Sequence, residues 1–294
     1  MRINKKFPWG QIGLHIFFVI SCLAYLIPFW LLIAISFTDE AAISQYGYQL
    51  IPKAWSTAAY EYVFANPKQL IDSYKVTIGF TIMHTALGIL VQALYAYPLS
   101  RPNFKFRKFC TWFVFFTMLF SGGLVPSYLI NTKLLHLGNT FWVYVFPGCI
   151  SAWNIIVMRT FFQGLPEALV ESTKVDGASE LRIFFQIILP LSKPCIASLA
   201  FMLAVTTWNN WNTSLIYIRD AELYSLQYML QKILREVEFV EKMAAETGML
   251  ADYETPTEAM RYATAILAAG PILVIFPFFQ KYFTKGLTIG AVKG

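Results

Sequence analysis

QGLPEALVESTKVDGASELRIFFQIILPLSKP, residues 163–194, is the one long cytoplasm-like segment set between strongly apolar runs, and the rest of the chain is read from it. Pro166 suits the first turn of a helix, because its missing amide would have no helical partner there. Asp176-Gly177 supplies a turn, and Leu181, Phe184, Phe185 and Ile188 recur as the apolar face of a second helix. Asp176 is placed to cap that second helix through its carboxylate, and Gly177 to take a backbone conformation that a side chain resists. The stretch therefore reads as helix, turn and amphipathic helix, a pattern that an ordinary loop between two membrane helices would also show.

On either side the chain is membrane-like. Hydrophobic residues make up 57% and charged residues 14% of the 294, and the mean hydropathy is +0.52. A soluble domain has about a quarter charged residues. Six uncharged runs, 12–37, 76–100, 109–132, 134–158, 194–218 and 262–280, each approach or exceed the ~20 residues needed to cross the hydrocarbon layer. The expected fold is all-α, a single membrane domain of six spanning helices over residues 1–294. Pro28 should kink the first span, which lacks the shorter apolar core of a cleavable signal peptide. In the third, Ser121-Gly122-Gly123 and Pro126 should end the helix early, leaving a short surface helix.

Loop charge sets the orientation. With the N-terminus cytoplasmic, the inner segments hold 14 Lys and Arg and the outer ones nine, and the short basic loop of Arg101, Lys105, Arg107 and Lys108 is decisive. Both termini are then inside, as is the 163–194 segment. The loop 219–261 is outside and holds nine acids against five bases. Its Leu223, Leu226, Leu230, Ile233, Val237 and Val240 predict an amphipathic helix, either resting over the bundle or docking an external partner, followed by a flexible link over 248–257.

Little points to catalysis. The chain has no GxxxxGK[ST] phosphate loop, so ATP hydrolysis must come from elsewhere. His15, His84 and His136 form no ligand pair, Cys22, Cys110, Cys149 and Cys195 stand singly, and no nucleophile-base set is evident. No catalytic or metal site and no nucleic-acid partner is expected. The polar cluster Trp208, Asn209, Asn210, Trp211 and Asn212 near the outer end of the fifth run can be read in two ways. Amides and indoles make a sugar-binding pathway surface, with Trp208, Asn209, Trp211 and Asn212 as its candidates. Equally, tryptophans belong to the interfacial belt and asparagines knit helices together. On a continuous helix Trp208 and Asn212 would share a face. His84, Gln92 and Asn154 are further pathway candidates.

Glu171-Ser172-Thr173, Asp176-Gly177-Ala178, Ile187, Leu189-Pro190 and Pro194 resemble the EAA loop of permease subunits in binding-protein-dependent ABC importers. Ser172 and Thr173 stand where that family has two alanines, and both are small enough for close helix approach. The resemblance implies that Glu171, Asp176, Gly177, Ala178, Leu181 and Pro190 couple the chain to a cytoplasmic ATPase. It also implies a second homologous permease subunit, two ATPase subunits holding ATP and Mg, and an extracytoplasmic solute-binding protein, with no cofactor in this chain. The tail TKGLTIGAVKG (284–294) resembles the ending of carbohydrate permeases related to the maltose system. SGGLVPSYLI (121–130), LGNTFWVYVFPG (137–148) and MRTFFQGLPE (158–167) resemble the subset handling complex oligosaccharides. These likenesses imply an inner-membrane importer of an oligosaccharide, with uronic-acid fragments as the narrower expectation. A gradient-driven transporter would need charged residues within its spans, and the six runs hold no Asp, Glu, Lys or Arg. A non-transporting scaffold is the remaining alternative.

Overall fold

In the computed structural model, residues 9–247 and 257–291 are described. The basic tail before residue 9, the expected link over 248–257 except Thr257, which starts a helix, and the last three residues of the C-terminal tail lie outside them. Among the described residues the chain is helical, with one isolated bridge, Thr38 to Trp55, and no strand. In order come α1 (Trp9–Ser36), α2 (Glu40–Tyr46), α3 (Ala58–Val63), α4 (Pro67–Ser100) and α5 (Arg107–Leu119). Next, α6 (Leu124–Leu129) continues into a π-helical turn (Ile130–Leu134), followed by α7 (Trp142–Val145), α8 (Ala152–Gln163) and α9 (Glu167–Val175). Then α10 (Glu180–Ile183) passes through a second π-helical turn (Phe184–Ile188) into α11 (Leu189–Leu191). The chain ends with α12 (Lys193–Trp208), α13 (Asn212–Tyr217), a 3-10 turn (Ala221–Leu223), α14 (Leu226–Thr247) and α15 (Thr257–Ala291).

Among the described residues three helices are long and apolar enough to cross a membrane unaided: Gln11–Ser36, Pro67–Ser100 and Glu258–Gln280. Two more crossings arise if bent pairs count as one span: Arg107–Leu119 with Leu124–Leu134, bent by 112°, and Glu180–Leu191 with Lys193–Trp208, bent by 80°. The first bend follows the sequence expectation, for α5 stops at Leu119 and Gly123 takes φ +84°. Two runs depart from it. The run 194–218 is not one helix, because α12 ends at Trp208 and α13 begins only at Asn212. The run 134–158 is broken further, leaving α7 and α8 on either side of Pro147 and Gly148.

That second break is made tolerable by α4. Gly148 adopts φ +79°, and the backbone is non-helical between α7 and α8. His84 Nδ1 donates to the Val145 carbonyl at 2.8 Å and Gln92 Nε2 to the Cys149 carbonyl at 2.7 Å. The Cys149 thiol donates to the same Val145 carbonyl at 2.7 Å, and since lipid offers no such donors the break is satisfied by the protein's own side chains. Gly88, one turn before Gln92, lets the two segments approach: a Cβ there would lie 3.2 Å from the Cys149 carbonyl oxygen and from Leu203 Cδ2.

The chain divides into two compact units. One takes the chain up to Asn66 with Leu230–Gly270. Here Asp39 caps α2 by accepting from the Ala41 amide at 3.1 Å. The Glu40 carboxylate accepts from the Glu258 and Ala259 amides at 3.1 and 3.2 Å, capping the start of α15. Arg261 pairs with Glu258 at 2.7 Å and Glu238 at 2.9 Å. The other unit takes Pro67–Met229 and the chain from Pro271. Its core sets Ala93, Ala96 and Leu99 of α4 against Ile155, Met158 and Phe162 of α8, closed by Ile183, Phe184 and Ile188. The amphipathic helix expected in 219–261 is α14, which buries Leu226, Met229, Leu230 and Val237 and leaves Val240 exposed.

Candidate functional site

The 163–194 segment forms the expected helix, turn and helix, with its turn built differently from the sequence reading. Pro166 precedes the first turn of α9 as its N-cap. Asp176 closes that helix and does not cap the next one. Gly177 follows with φ +77°, its amide donating to the Lys174 carbonyl at 2.9 Å, while the Ala178 amide donates to Thr173 at 3.2 Å. This pair of bonds is a Schellman motif, in which a left-handed glycine satisfies the last carbonyls of a helix. The second helix starts at Glu180, too far on for Asp176 to reach, and Ser179 caps it by accepting from the Arg182 amide at 3.4 Å.

The second helix buries only half of the expected face. Ile183, Phe184 and Ile188 are buried, whereas Leu181 is 64% and Phe185 47% exposed. A π-helical turn through Phe184–Ile188 interrupts the regular helical spacing after Leu181. Leu181 and Phe185 therefore do not hold this helix to the core. Glu171, Asp176 and Gly177 are exposed on the turn and its approach, and Ala178 is half-buried. Pro190 is exposed in the short α11, at the 80° bend, and with Lys193, Phe278 and Phe279 lines an apolar cleft of about 620 Å³.

Sequence reasoning missed a polar clamp behind the turn. Lys174 Nζ lies 2.6 Å from Glu180 Oε1, joining the end of α9 to the start of α10. Tyr97, in the last turn of α4, donates its hydroxyl to Glu180 Oε2 at 2.6 Å. Burial pushes the Glu180 carboxyl up, but the Lys174 and Tyr97 hydrogen bonds outweigh it and hold the group below the ordinary glutamate value. Arg101 stands over the Tyr97 ring at 5.1 Å. These groups line a cavity of about 400 Å³ with Leu181 and Phe184. Two arginines fix the helix ends nearby: Arg101 donates to the Phe162 carbonyl of α8 at 3.3 Å and Arg159 of α8 to the Leu99 carbonyl of α4 at 3.1 Å. Each cation meets the negative end of the other helix. The only sequence signal for the clamp was its charge pattern, since Lys174 and Glu180 flank the turn.

The polar cluster of the fifth run lies at a helix break. Trp208 is buried at the end of α12, Trp211 is half-buried, and Asn209 and Asn212 are exposed. Asn209 donates to the Val205 carbonyl at 3.0 Å and accepts from Gln227 at 3.2 Å. Asn210 accepts from the Thr213 amide at 3.0 Å, which starts α13. Trp208 and Asn212 do not share a helix face, because no single helix joins them. His84 and Gln92 serve the broken fourth run as described, and Asn154 is buried in the first turn of α8. Beyond these, Asn139 at φ +56° accepts from the Arg219 and Asp220 amides at 2.9 and 3.1 Å, stitching the loop before α7 to the segment after α13.

The family model described as "Binding-protein-dependent transport system inner membrane component" matches residues 84–289. The chain is 40% identical over 270 residues to Protein LplC of Bacillus subtilis (strain 168), covering 92% of this chain and 90% of that one. It is 35% identical over 291 residues to the polygalacturonan/rhamnogalacturonan transport system permease protein YtcP of the same strain, covering 99% of each. Among solved structures it resembles a chain in the crystal structure of a bacterial ABC transporter involved in the import of the acidic polysaccharide alginate. The TM-score is 0.78 at 26% identity, covering 96% of this chain and 99% of the other.

Proposed function

Since the chain belongs to the family of binding-protein-dependent transport system inner membrane components, we propose that it is one of two permease subunits of an ABC importer for an oligosaccharide. It spans the inner membrane as a single transmembrane domain of six crossings with both termini cytoplasmic, the broken runs 109–132, 134–158 and 194–218 each serving as one crossing. A second, homologous permease subunit completes the pathway. Two ATPase subunits bind ATP and Mg, and an extracytoplasmic solute-binding protein delivers the sugar, docking against the 219–261 loop.

The observation that carries this reading is the clamped turn. α9 and α10 project Glu171, Asp176 and Gly177 while Glu180 is tied both to Lys174 and to Tyr97 at the end of α4. A displacement of the turn by the ATPase is thus passed to a helix that crosses the membrane. Such coupling requires that the ATPase states hold the turn in different positions. Glu171, Asp176, Gly177 and Ala178 make the ATPase contact in this proposal, Leu181 adds exposed apolar area to it, and Pro190 sets the bend that follows. Trp208, Asn209, Trp211 and Asn212 are proposed to border the sugar pathway at the break between α12 and α13.

Uronic-acid oligosaccharides are the proposed substrate class, supported by the polygalacturonan/rhamnogalacturonan and alginate systems to which the chain is similar. The test is ATP hydrolysis by the complex purified through this chain, with its binding protein and a panel of neutral and acidic oligosaccharides. Stimulation by binding protein together with a galacturonate or mannuronate oligomer is the expected result. A folded chain that brings no ATPase with it would reject the importer reading, and stimulation by neutral sugars alone would reject the acidic substrate.

A further inference from the structure

α4 is long and apolar enough to cross the membrane and ends at Ser100, so the connection from Arg101 to α5 lies at the membrane surface. There the second unit holds a cavity of about 590 Å³ lined by Lys105, Arg107, Lys108 and Arg159, with Thr111 and Trp112. Four cations line it and no acid does. Among the described residues none of the four enters an ion pair, and the one side-chain bond recorded for them is that of Arg159 to the Leu99 carbonyl. Burial and the like charge of Arg107 both push Arg159 down, so the cluster repels itself as it stands. An anion in the cavity would remove that repulsion.

The surroundings select the kind of anion. On α5, Phe109 and Trp112 are each 71% exposed, and Phe113 and Phe116 more than half. Trp112 lies on the cavity wall and on this aromatic face at once. Tryptophan at that level belongs to the headgroup region, with its ring against acyl chains. A ligand that joins an anionic head to an acyl chain satisfies the cations and the aromatic face together, whereas a free phosphate satisfies only the first. Basic pockets at helix ends on the membrane surface have the chemistry to hold anionic headgroups. We propose that this cavity binds the headgroup of an anionic phospholipid, with Lys105, Arg107 and Lys108 on its phosphate and Trp112 against its chain. The inference uses only the membrane location of the chain, so it stands or falls apart from the transported sugar.

The test is native mass spectrometry of the full-length chain in detergent, titrated with phosphatidylglycerol or with phosphatidylcholine of the same acyl chains, with inorganic phosphate as a competitor. Phosphatidylglycerol should be retained in preference. The triple variant Lys105→Gln/Arg107→Gln/Lys108→Gln should bind it on the order of 100-fold more weakly. A control removing three cations elsewhere, Lys68→Gln/Lys75→Gln/Lys133→Gln, should bind as the native chain does. Should the triple variant fail to fold, Lys105→Gln and Lys108→Gln singly, both at exposed positions, should each lose several-fold. Equal retention of the two lipids, or native-like retention by the variants, overturns the proposal. So does full displacement by millimolar phosphate, which would make the cavity a site for a soluble anion.

Discussion

Gly177 and Glu180 do different work within four residues. At Gly177 an added Cβ would meet nothing within 4 Å, so substitution there is opposed by the backbone alone. Its φ of +77° costs an ordinary residue about 1–2 kcal/mol, and asparagine less than most. Gly177→Asn should keep sugar-stimulated ATPase activity close to native, while Gly177→Val should reduce it severely with normal membrane insertion, as measured in reconstituted complexes. Equal activity of the two variants would show that the turn conformation is unimportant. At Glu180 the sign follows from its lowered pKa. A depressed carboxyl contributes stability above the unfolded value, about 4.3, and loses it as pH falls through the lower folded value. The melting difference between the native chain and Glu180→Gln should therefore be constant at neutral pH and shrink only below about pH 4. A difference that vanished between pH 6 and 8 would mean that the pair with Lys174 is not made in solution.

At the scale of elements, the broken fourth run depends on α4. Gln92→Leu keeps the volume but leaves the Cys149 carbonyl buried without its donor, at a cost of about 1–3 kcal/mol. The expected outcome is a lower melting temperature of the detergent-purified chain, with His84→Phe acting in the same direction through the Val145 carbonyl. An unchanged melting temperature in both variants would mean that water or a rearranged backbone satisfies these carbonyls. The clamp offers a second check. Lys174→Glu should weaken coupling by setting two carboxylates together, and adding Glu180→Lys should restore part of it, because the ion pair returns reversed while the bond from Tyr97 is altered. The existence of α9 and of the second helix was legible in the sequence, through Pro166, Gly177 and the apolar spacing. Which residues the second helix buries was only half legible: Phe184 and Ile188 are buried as the spacing predicts, whereas Leu181 and Phe185 are exposed, and the π-helical turn alters the regular spacing from Phe184 onward.

For the whole molecule, the proposed topology fixes which side of the membrane each helix end faces. In a cysteine-free background, Lys105→Cys should react with an impermeant thiol reagent only from the cytoplasmic side and Lys68→Cys only from the opposite side. Labelling of both from one side would reject the inside location of the basic loop. Composition and uncharged runs by themselves determined a helical membrane protein, since burying so many apolar residues in lipid requires internally bonded helices. The turn at Gly177 was equally local, because a left-handed residue flanked by helix-forming sequence has few other uses. Tertiary structure alone decided three things: that two of the apolar runs are broken, that Tyr97 reaches Glu180, and that Arg101 and Arg159 each secure the other's helix end. Hydropathy counts side chains and is blind to where an unpaired carbonyl finds its donor. Those donors come from side chains 57 to 61 positions away in the chain, brought within bonding distance only by packing.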